Sequence, residues 1–259
     1  MSLNCDVHCL PKKLQAKEWC KEYVHKDHSC EQYMTMTDTI KVNHRVLECT
    51  IYPTEFLSID KLIANLKGPI LLTKKAFSVT LTFTSANPIV GAYKLAYFGQ
   101  TDKPVFNNST SLNVCIKEAF GIDPILAKQE VYNGPKQGEL LMIEINCSHW
   151  ASALTHLVYK FMERKNMTYG TEPPFQVPNM HYINVVLAVA NNHKWEMYLL
   201  EEVISELDGD FWKYINNTAA TVLSQTDPDQ QYIGNFLSFT QHVQMLKTNE
   251  QVFVSDQQG

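Results

Sequence analysis

The segment "EINCSHW" (144–150) places a cysteine and a histidine two residues apart, just before an apolar pattern with helical spacing. A thiol in the first turn of a helix lies near the positive end of the helix dipole, which lowers its pKa and makes it a nucleophile. Cys147 is therefore a candidate catalytic nucleophile. His149 is poorly placed as its base, because side chains two residues apart on a helix diverge by about 200°.

A general base for Cys147 must therefore come from another part of the chain. The letters "NCSHW" resemble the cysteine box of lipid acyltransferases related to lecithin–retinol acyltransferase, and this resemblance implies an upstream histidine on a strand. His44 in "VNHRVLECTIY" fits that position. One hypothesis is thus a cysteine-dependent hydrolase or acyltransferase that uses Cys147 and His44. The competing interpretation is structural, with Asn146 or Ser148 capping a helix and Cys147 filling a half-buried position.

Cysteines and histidines are concentrated near the N-terminus, where four of the seven cysteines precede residue 31. The segment "CKEYVHKDHSC" has the C-x4-H-x4-C spacing of the tail of a zinc knuckle, and Lys17 stands where the first cysteine of the knuckle would be. Tetrahedral zinc takes four ligands, so a residue further upstream must complete the site. The candidate ligands are Cys9, Cys20, His25 and Cys30, with Cys5 and His8 as further donors. The alternative is a thiol-rich arm without metal, and no other cofactor is expected.

The composition is that of a globular protein, with 45% hydrophobic and 19% charged residues among 259. The net charge is −5 and the 22 lysines and arginines are spread out, so we expect no nucleic-acid partner. No apolar run is long enough to span a membrane, and the N-terminus lacks the apolar core of a signal peptide. The odd number of cysteines favours reduced thiols. We therefore expect an intracellular protein, cytoplasmic or nuclear.

Strand-like alternation dominates residues 41–145. In "FSVTLTF" (77–83) apolar and polar residues alternate, and "IVGAYKLAYF" (89–98) follows after a turn-like "SANP", so the two segments predict a hairpin. Further strands are predicted at 46–52, 111–116 and 139–145. Short helices are predicted within 54–69, which ends at Gly68 and Pro69, and within 121–131, where Asp123 is the cap.

Helical spacing dominates residues 147–247. Seven apolar residues from Trp150 to Met162 recur at intervals of three and four and predict one buried stripe. Further helices are predicted at 183–190, 195–207 and 211–223. The carboxylates of Glu201, Glu202 and Glu206 then predict a solvent-facing acidic helix face. The fold class is α+β, with a strand-rich half (about 41–145) followed by a helical half (147–247).

The order of these elements resembles the BTB/POZ fold in its Skp1 and elongin C version. The closest segments are "SHWASALTHLVYKFMER" and "TEPPFQVPNMHYINVVLAVANN", and the resemblance extends over about 77–208. It divides the chain into a Cys/His-rich N-terminal arm (1–40), an unassigned strand-helix extension (41–76), the BTB/Skp1-like core (77–208) and C-terminal helices with a tail (209–259). It also implies that Cys147 lies at the start of a core helix and is structural.

The resemblance implies a non-enzymatic protein–protein interaction module, an adaptor or an oligomerising scaffold, whose partner is another protein or a second copy. Tyr182, Trp195 and Tyr198 are the candidate anchors of the interaction surface. The alternative for these aromatic residues is a place in the core. A self-assembling structural protein, viral or otherwise, is a further function class that the same residues allow.

Overall fold

The computed structural model describes residues 2–7, 44–54, 57–64, 75–107, 109–122, 129–170, 173, 175–204, 212–216 and 221–258. The helices within these ranges are α1 (Ile59–Ala64), α2 (Gly134–Tyr169) and α3 (Pro228–Lys247). The strands are β1 (Ser2–Val7), β2 (His44–Tyr52), β3 (Phe77–Thr84), β4 (Ile89–Val90), β5 (Lys94–Thr101), β6 (Asn113–Ile122), β7 (Gln129–Val131), β8 (His181–Tyr182), β9 (Val185–Ala190), β10 (Met197–Glu202) and β11 (Val254–Gln258).

Six strands form a closed antiparallel barrel. The sheet order is β4-β5-β3-β2-β9-β10-β6-β7, and an additional pairing between β5 and β6 closes the ring. The register of that closing pair runs from Lys94 opposite Ala119 to Gln100 opposite Asn113. Because successive strand residues point to opposite faces, each strand supplies one set of side chains to the barrel interior and one to its outer surface.

The barrel interior is an apolar core along most of its length. Its fully buried side chains come from four of the six strands and include Ile51, Leu81, Ile116, Tyr198 and Leu200. Burying a side chain of this size contributes about 1.5–3 kcal/mol by area transfer. The predicted strands at 46–52 and 77–83 are confirmed, and the one predicted at 111–116 overlaps β6. The predicted hairpin of 77–83 with 89–98 is confirmed only as a pairing of β3 with β5, whose paired residues are 99–101, because β4 comes between them along the chain and pairs with β5.

Polar side chains replace apolar ones at one end of the interior. We call this group the barrel-end cluster, and its members are Arg45, Tyr97, Glu118, Glu196 and Tyr198. Nη2 of Arg45 donates to both carboxylate oxygens of Glu196 at 3.0 and 2.9 Å. The guanidinium lies 5.5 Å from the centre of the Phe83 ring. The hydroxyl of Tyr97 donates to Glu118.

Helix α2 joins the barrel to a second core. Asn133 caps its N-terminus, with its side chain accepting from the amide of Lys136, and Gly170 in the left-handed region ends it. Near its start, Leu141 and Ile145 pack on the outer surface of β9 and β10. Further along, its buried residues Ala151, Leu154, Val158 and Met162 pack against α3 and neighbouring segments.

The predicted boundary between a strand half and a helical half is wrong. The segment 139–145 was predicted as a strand and belongs to α2, whereas the predicted helices at 183–190 and 195–207 contain β9 and β10. The described part of the predicted helix at 211–223 is an irregular segment with a bridge between Ile215 and Val222. Since strands still occur at 185–202 and 254–258, the architecture is a barrel joined to a helix-containing region.

The physical reason lies in burial on both faces of β9. Val186 and Ala188 point into the barrel while Val185 and Leu187 pack against α2, so the strand has no polar face and shows no alternation. A short apolar run of this kind cannot be distinguished from a buried helix by periodicity.

The predicted short helices are only partly inside the described ranges. Helix α1 lies within the predicted 54–69 helix, whose residues 65–74 fall outside the described ranges. Of the predicted 121–131 helix, residues 129–131 form β7 instead. The predicted helical stripe from Trp150 is confirmed, but α2 begins at Gly134 rather than at residue 146. The domain boundaries at residues 40, 76 and 208 stay predictions.

Candidate functional site

The outer surface of β5, β6 and β10 carries paired charges. We call it the lysine face and define it by Lys94, Cys115, Lys117 and Glu201. Their sequence neighbours Leu95, Ile116 and Leu200 point into the barrel, so these four side chains point outward. Glu201 lies opposite Cys115 in the β10–β6 register.

Lys117 and Glu201 form the tightest ion pair of this face. Nζ of Lys117 lies 2.5 Å from Oε2 of Glu201, and the two side chains are 16% and 7% exposed. They occupy diagonal positions on neighbouring strands, because Lys117 is opposite Leu199. Charge-assisted hydrogen bonds of this length are among the strong ones in proteins. The ammonium group is thereby held at a fixed place on a rigid sheet.

A second lysine lies diagonally across from the first on β5. Because Lys94 is opposite Ala119 and Lys117 is opposite Ala96, the two lysines are about 7–8 Å apart between their backbones. Nζ of Lys94 lies 2.7 Å from Oε2 of Glu144 on α2. Two ammonium groups on one face, each next to a carboxylate, can approach the same anion.

Helix α2 is fixed to β6 next to these pairs. The buried side-chain amide of Gln137 donates to the carbonyl of Ala119 at 2.7 Å and accepts from its amide at 2.9 Å. This double hydrogen bond joins the first turn of α2 to the strand that carries Lys117. The position of Glu144 relative to Lys94 therefore depends on a contact made more than one helical turn away.

The rest of the lysine face is partly apolar. Phe98 lies opposite Cys115 in the β5–β6 register and is 61% exposed. Burial, with a smaller contribution from Glu201, raises the pKa of the Cys115 thiol to about 11. Cys115 is therefore a neutral thiol beside the ion pair rather than a thiolate nucleophile.

The predicted nucleophile and base contact different parts of the molecule. His44 is the first residue of β2, where its Nδ1 lies 3.3 Å from the hydroxyl of Thr84. Cys147 lies in the middle of α2 and packs against the second core. The predicted position of Cys147 in the first turn of a helix is therefore wrong, and the effect of the helix dipole that was expected there does not apply to its thiol. His149 is buried, and burial lowers its pKa to about 4.

The three predicted anchor residues differ in exposure. Tyr182 and Tyr198 are buried, Tyr182 in the second core and Tyr198 in the barrel interior, which is the alternative considered for them. Trp195, on the loop before β10, is 64% exposed. Only Trp195 is therefore available for contact with another molecule, and whether it makes one stays a prediction.

The predicted zinc ligands Cys9, Cys20, His25 and Cys30 lie outside the described residues. Within the described part of the chain, no group of three or more His, Cys, Asp or Glu side chains is arranged to hold a metal ion. None of the described helices is long and apolar enough to cross a membrane.

Neither Lys117 nor Glu201 is among the site residues predicted from the sequence. Glu201 was assigned to a solvated acidic helix face, but it is a buried residue of β10 that faces Lys117. The available signal was the alternation in "NVCIKEAF", which places Lys117 opposite in direction to Ile116. Glu201 could be identified as its partner only if the segment of β10 were recognised as a strand that pairs with β6.

No protein-family model matches the chain, and no curated protein matches it. Among solved structures, it is similar to an alpha kinase from Entamoeba histolytica, with a TM-score of 0.53, 15% identity, and coverage of 83% of this chain and 72% of that one. The apoenzyme alpha-kinase domain of myosin-II heavy chain kinase A has a TM-score of 0.47 and 13% identity, covering 83% of this chain and 79% of that one. The first likeness indicates an alpha-kinase-like fold.

This finding corrects the fold and function predicted from the sequence. The BTB/POZ resemblance over 77–208 is wrong, because the fold is similar to that of an alpha kinase and the region contains most of a closed barrel. The non-enzymatic adaptor or scaffold that the resemblance implied conflicts with a likeness to catalytic domains. The cysteine-dependent hydrolase or acyltransferase and the self-assembling structural protein gain no support from it either.

Proposed function

We propose that this chain contains the nucleotide-binding part of a phosphotransferase with an alpha-kinase-like fold. The observation that carries the proposal is the ion pair between Lys117 and Glu201 on the outer face of the barrel. In protein kinases a lysine on a strand, held in place by a glutamate, contacts the phosphates of the bound nucleotide. The fold likeness to a kinase supports the same reaction class, although fold alone does not determine function.

Lys117 is the residue that we assign to the phosphates. Its ammonium group is fixed by Glu201, so little side-chain entropy is lost when an anion binds. The ion pair also neutralises the charge of Glu201, so that the carboxylate does not repel the phosphates. In this role Glu201 is a positioning residue that acts through Lys117.

Lys94 is the second cation that we assign to the phosphates. Its partner Glu144 is on a helix, so the Lys94–Glu144 pair joins a strand to a helix as the lysine–glutamate pair of protein kinases does. The described residues provide no metal cluster, and the roles given to these four side chains do not depend on a metal ion.

The experiment is a titration of the full chain with ATP in the presence of magnesium, measured by calorimetry. We expect saturable binding, and we expect Lys117→Met to weaken it at least tenfold, because a hydrogen bond to a charged group contributes about 1.5–3 kcal/mol. Lys103→Met is the matched control, since Lys103 is an exposed lysine that lies over the ring of Phe77. It should bind ATP within twofold of the wild type.

Thermal melts of both variants confirm that the fold is retained. If the wild type shows no ATP binding, or Lys117→Met binds as tightly as the wild type, the proposal is wrong. Transfer of label from γ-labelled ATP to a protein substrate then measures the reaction itself.

A further inference from the structure

A cavity of about 390 Å³ lies between α1, the second half of α2 and the end of α3. We call it the basic cavity. Its volume falls within the range of about 300–1,000 Å³ that is typical of small-molecule sites. Ile59, Leu157 and Phe161 supply apolar side chains to its lining. The cavity shares no residue with the lysine face.

Four cationic side chains line this cavity. Lys160 and Arg164 are four residues apart on α2 and therefore lie on one helix face. Lys165, also from α2, and Lys247, from the last turn of α3, line the same cavity. None of the four forms an ion pair with a carboxylate in the described part of the chain. Asp60 also lines the cavity, so the lining has an excess of positive charge.

Two of these cations contact the ring of Phe161. Nζ of Lys247 lies 4.7 Å from the ring centre and Nζ of Lys165 lies 5.7 Å from it. Contacts of this kind attract each ammonium group to the ring. Cationic groups that line one cavity repel each other, and a bound anion offsets that repulsion.

We propose that the basic cavity binds a small anion that carries two or more phosphate groups, either free or as a lipid headgroup. Arg164 can donate two parallel hydrogen bonds to one phosphate, and the lysines act as point charges for others. Ser58 and Thr168 supply hydroxyl groups to the same lining. The limited volume suits a small molecule better than a peptide or a nucleic acid. The proposal does not depend on the kinase function.

The experiment uses the full chain with Lys94→Gln and Lys117→Gln, so that the lysine face does not contribute to anion binding. Calorimetry measures its binding of inorganic tripolyphosphate and of inositol hexakisphosphate. Adding Arg164→Gln and Lys247→Gln should weaken binding at least tenfold. Adding Lys75→Gln and Lys194→Gln instead removes the same charge from exposed lysines elsewhere and should change binding less than twofold. Circular dichroism melts verify that each protein is folded.

Flotation with phosphatidylcholine vesicles, with and without a phosphoinositide bisphosphate, distinguishes the two sources of the phosphate. Binding only to the phosphoinositide vesicles, lost on Arg164→Gln and Lys247→Gln, identifies a lipid headgroup. Binding of the free anions, lost in the same way, identifies a small molecule. The proposal is overturned if the protein binds none of the probes, or if the cavity substitutions leave binding unchanged. Either result leaves the ATP titration of the otherwise wild-type chain unaffected.

Discussion

The barrel places cations beside carboxylates both inside and outside, and the two arrangements differ in their charge balance. Inside, Arg45 is near two carboxylates, Glu196 at hydrogen-bonding distance and Glu118 somewhat further. On the lysine face each of two lysines has its own carboxylate. The barrel-end cluster therefore has one cation for two carboxyl groups, whereas the lysine face has one cation for each carboxylate.

The surroundings of the two groups reinforce the difference. Burial raises the pKa of Glu118 and of Tyr198, so both favour their neutral forms. Outside, the side chains of Lys117 and Lys94 are partly exposed, and they lie on a face where Phe98 is largely exposed. The same residue types thus close the end of the barrel in one case and offer an anion site in the other. The direction of each side chain along its strand decides which.

The largest effect that we expect from this comparison is at Arg45. Arg45→Met leaves Glu196 without its cation and removes the contact with the Phe83 ring. Breaking a fully buried pair costs about 3–5 kcal/mol, and because this pair is partly exposed we expect a loss of about 2–3 kcal/mol in the free energy of unfolding. Urea unfolding measures this loss.

ATP binding by the Arg45→Met protein should remain within twofold of the wild type, because the lysine face is on the other side of the sheet. Lys103→Met is the control for stability and should change the free energy of unfolding by less than about 0.5 kcal/mol. A large loss of ATP binding in the folded Arg45→Met protein would show that the two groups are coupled through the strands.

Sequence patterns predicted the parts of the barrel in which only one face of a strand is buried. In β3, Val79, Leu81 and Phe83 are buried and the residues between them are not, which produces a clear alternation. The turn composition after β3 predicted that the chain returns as a neighbouring strand, which is β5. Both signals are local, so a single sequence contains them in full.

The patterns failed where tertiary contacts bury both faces of an element or only a narrow stripe. The apolar run at 140–145 contains Leu141 and Ile145, which are fully buried one helical turn apart, and Ile143, which is exposed. The run was read as a strand because its residues are almost all apolar. Strand β9 was predicted as a helix because both of its faces are buried, so its apolar residues do not alternate with polar ones.

The candidate site depended on those failed assignments. The strand predicted at 111–116 ends one residue before Lys117, and its partner Glu201 is in a strand that was predicted as a helix. A pair 84 residues apart leaves no local signal. Glu144 was likewise placed in a strand. The pattern of one segment does not indicate which distant strand it pairs with or in which register.

The second prediction concerns the pH dependence of the barrel-end cluster. The folded pKa of Glu118 is raised, first by burial and then by Glu196, whereas the hydrogen bond from Tyr97 and the charge of Arg45 act in the opposite direction. A carboxyl whose pKa is raised on folding stabilises the protein fully below its unfolded pKa. This contribution is lost as the pH rises towards the folded pKa.

Glu118→Gln should therefore flatten the profile on its alkaline side. Each unit by which the folded pKa exceeds the unfolded one is worth about 1.4 kcal/mol. Burial opposes the shift at Glu196, but the hydrogen bonds from Asn192 and Arg45 hold its pKa below the usual range, so its contribution is lost on acidification instead. The difference in urea stability between the wild type and Glu118→Gln, measured from pH 4 to 8, isolates Glu118. A difference that is constant with pH would contradict the prediction.

The smallest effect concerns the two tyrosines of the barrel end, which test whether this cluster is fully paired. The hydroxyl of Tyr198 is buried and has no hydrogen-bond partner among the described residues, whereas that of Tyr97 donates to Glu118. An unsatisfied buried hydroxyl costs free energy, and its removal leaves a ring of nearly the same shape. We therefore expect Tyr198→Phe to leave the free energy of unfolding unchanged or raise it by up to about 1 kcal/mol.

Tyr97→Phe should lower the free energy of unfolding by about 1 kcal/mol, because it removes the hydrogen bond to Glu118. Urea unfolding of both variants under the same conditions gives the comparison. If Tyr198→Phe is the more destabilising of the two, the hydroxyl has a partner such as a buried water molecule, and the barrel end is as fully paired as the lysine face.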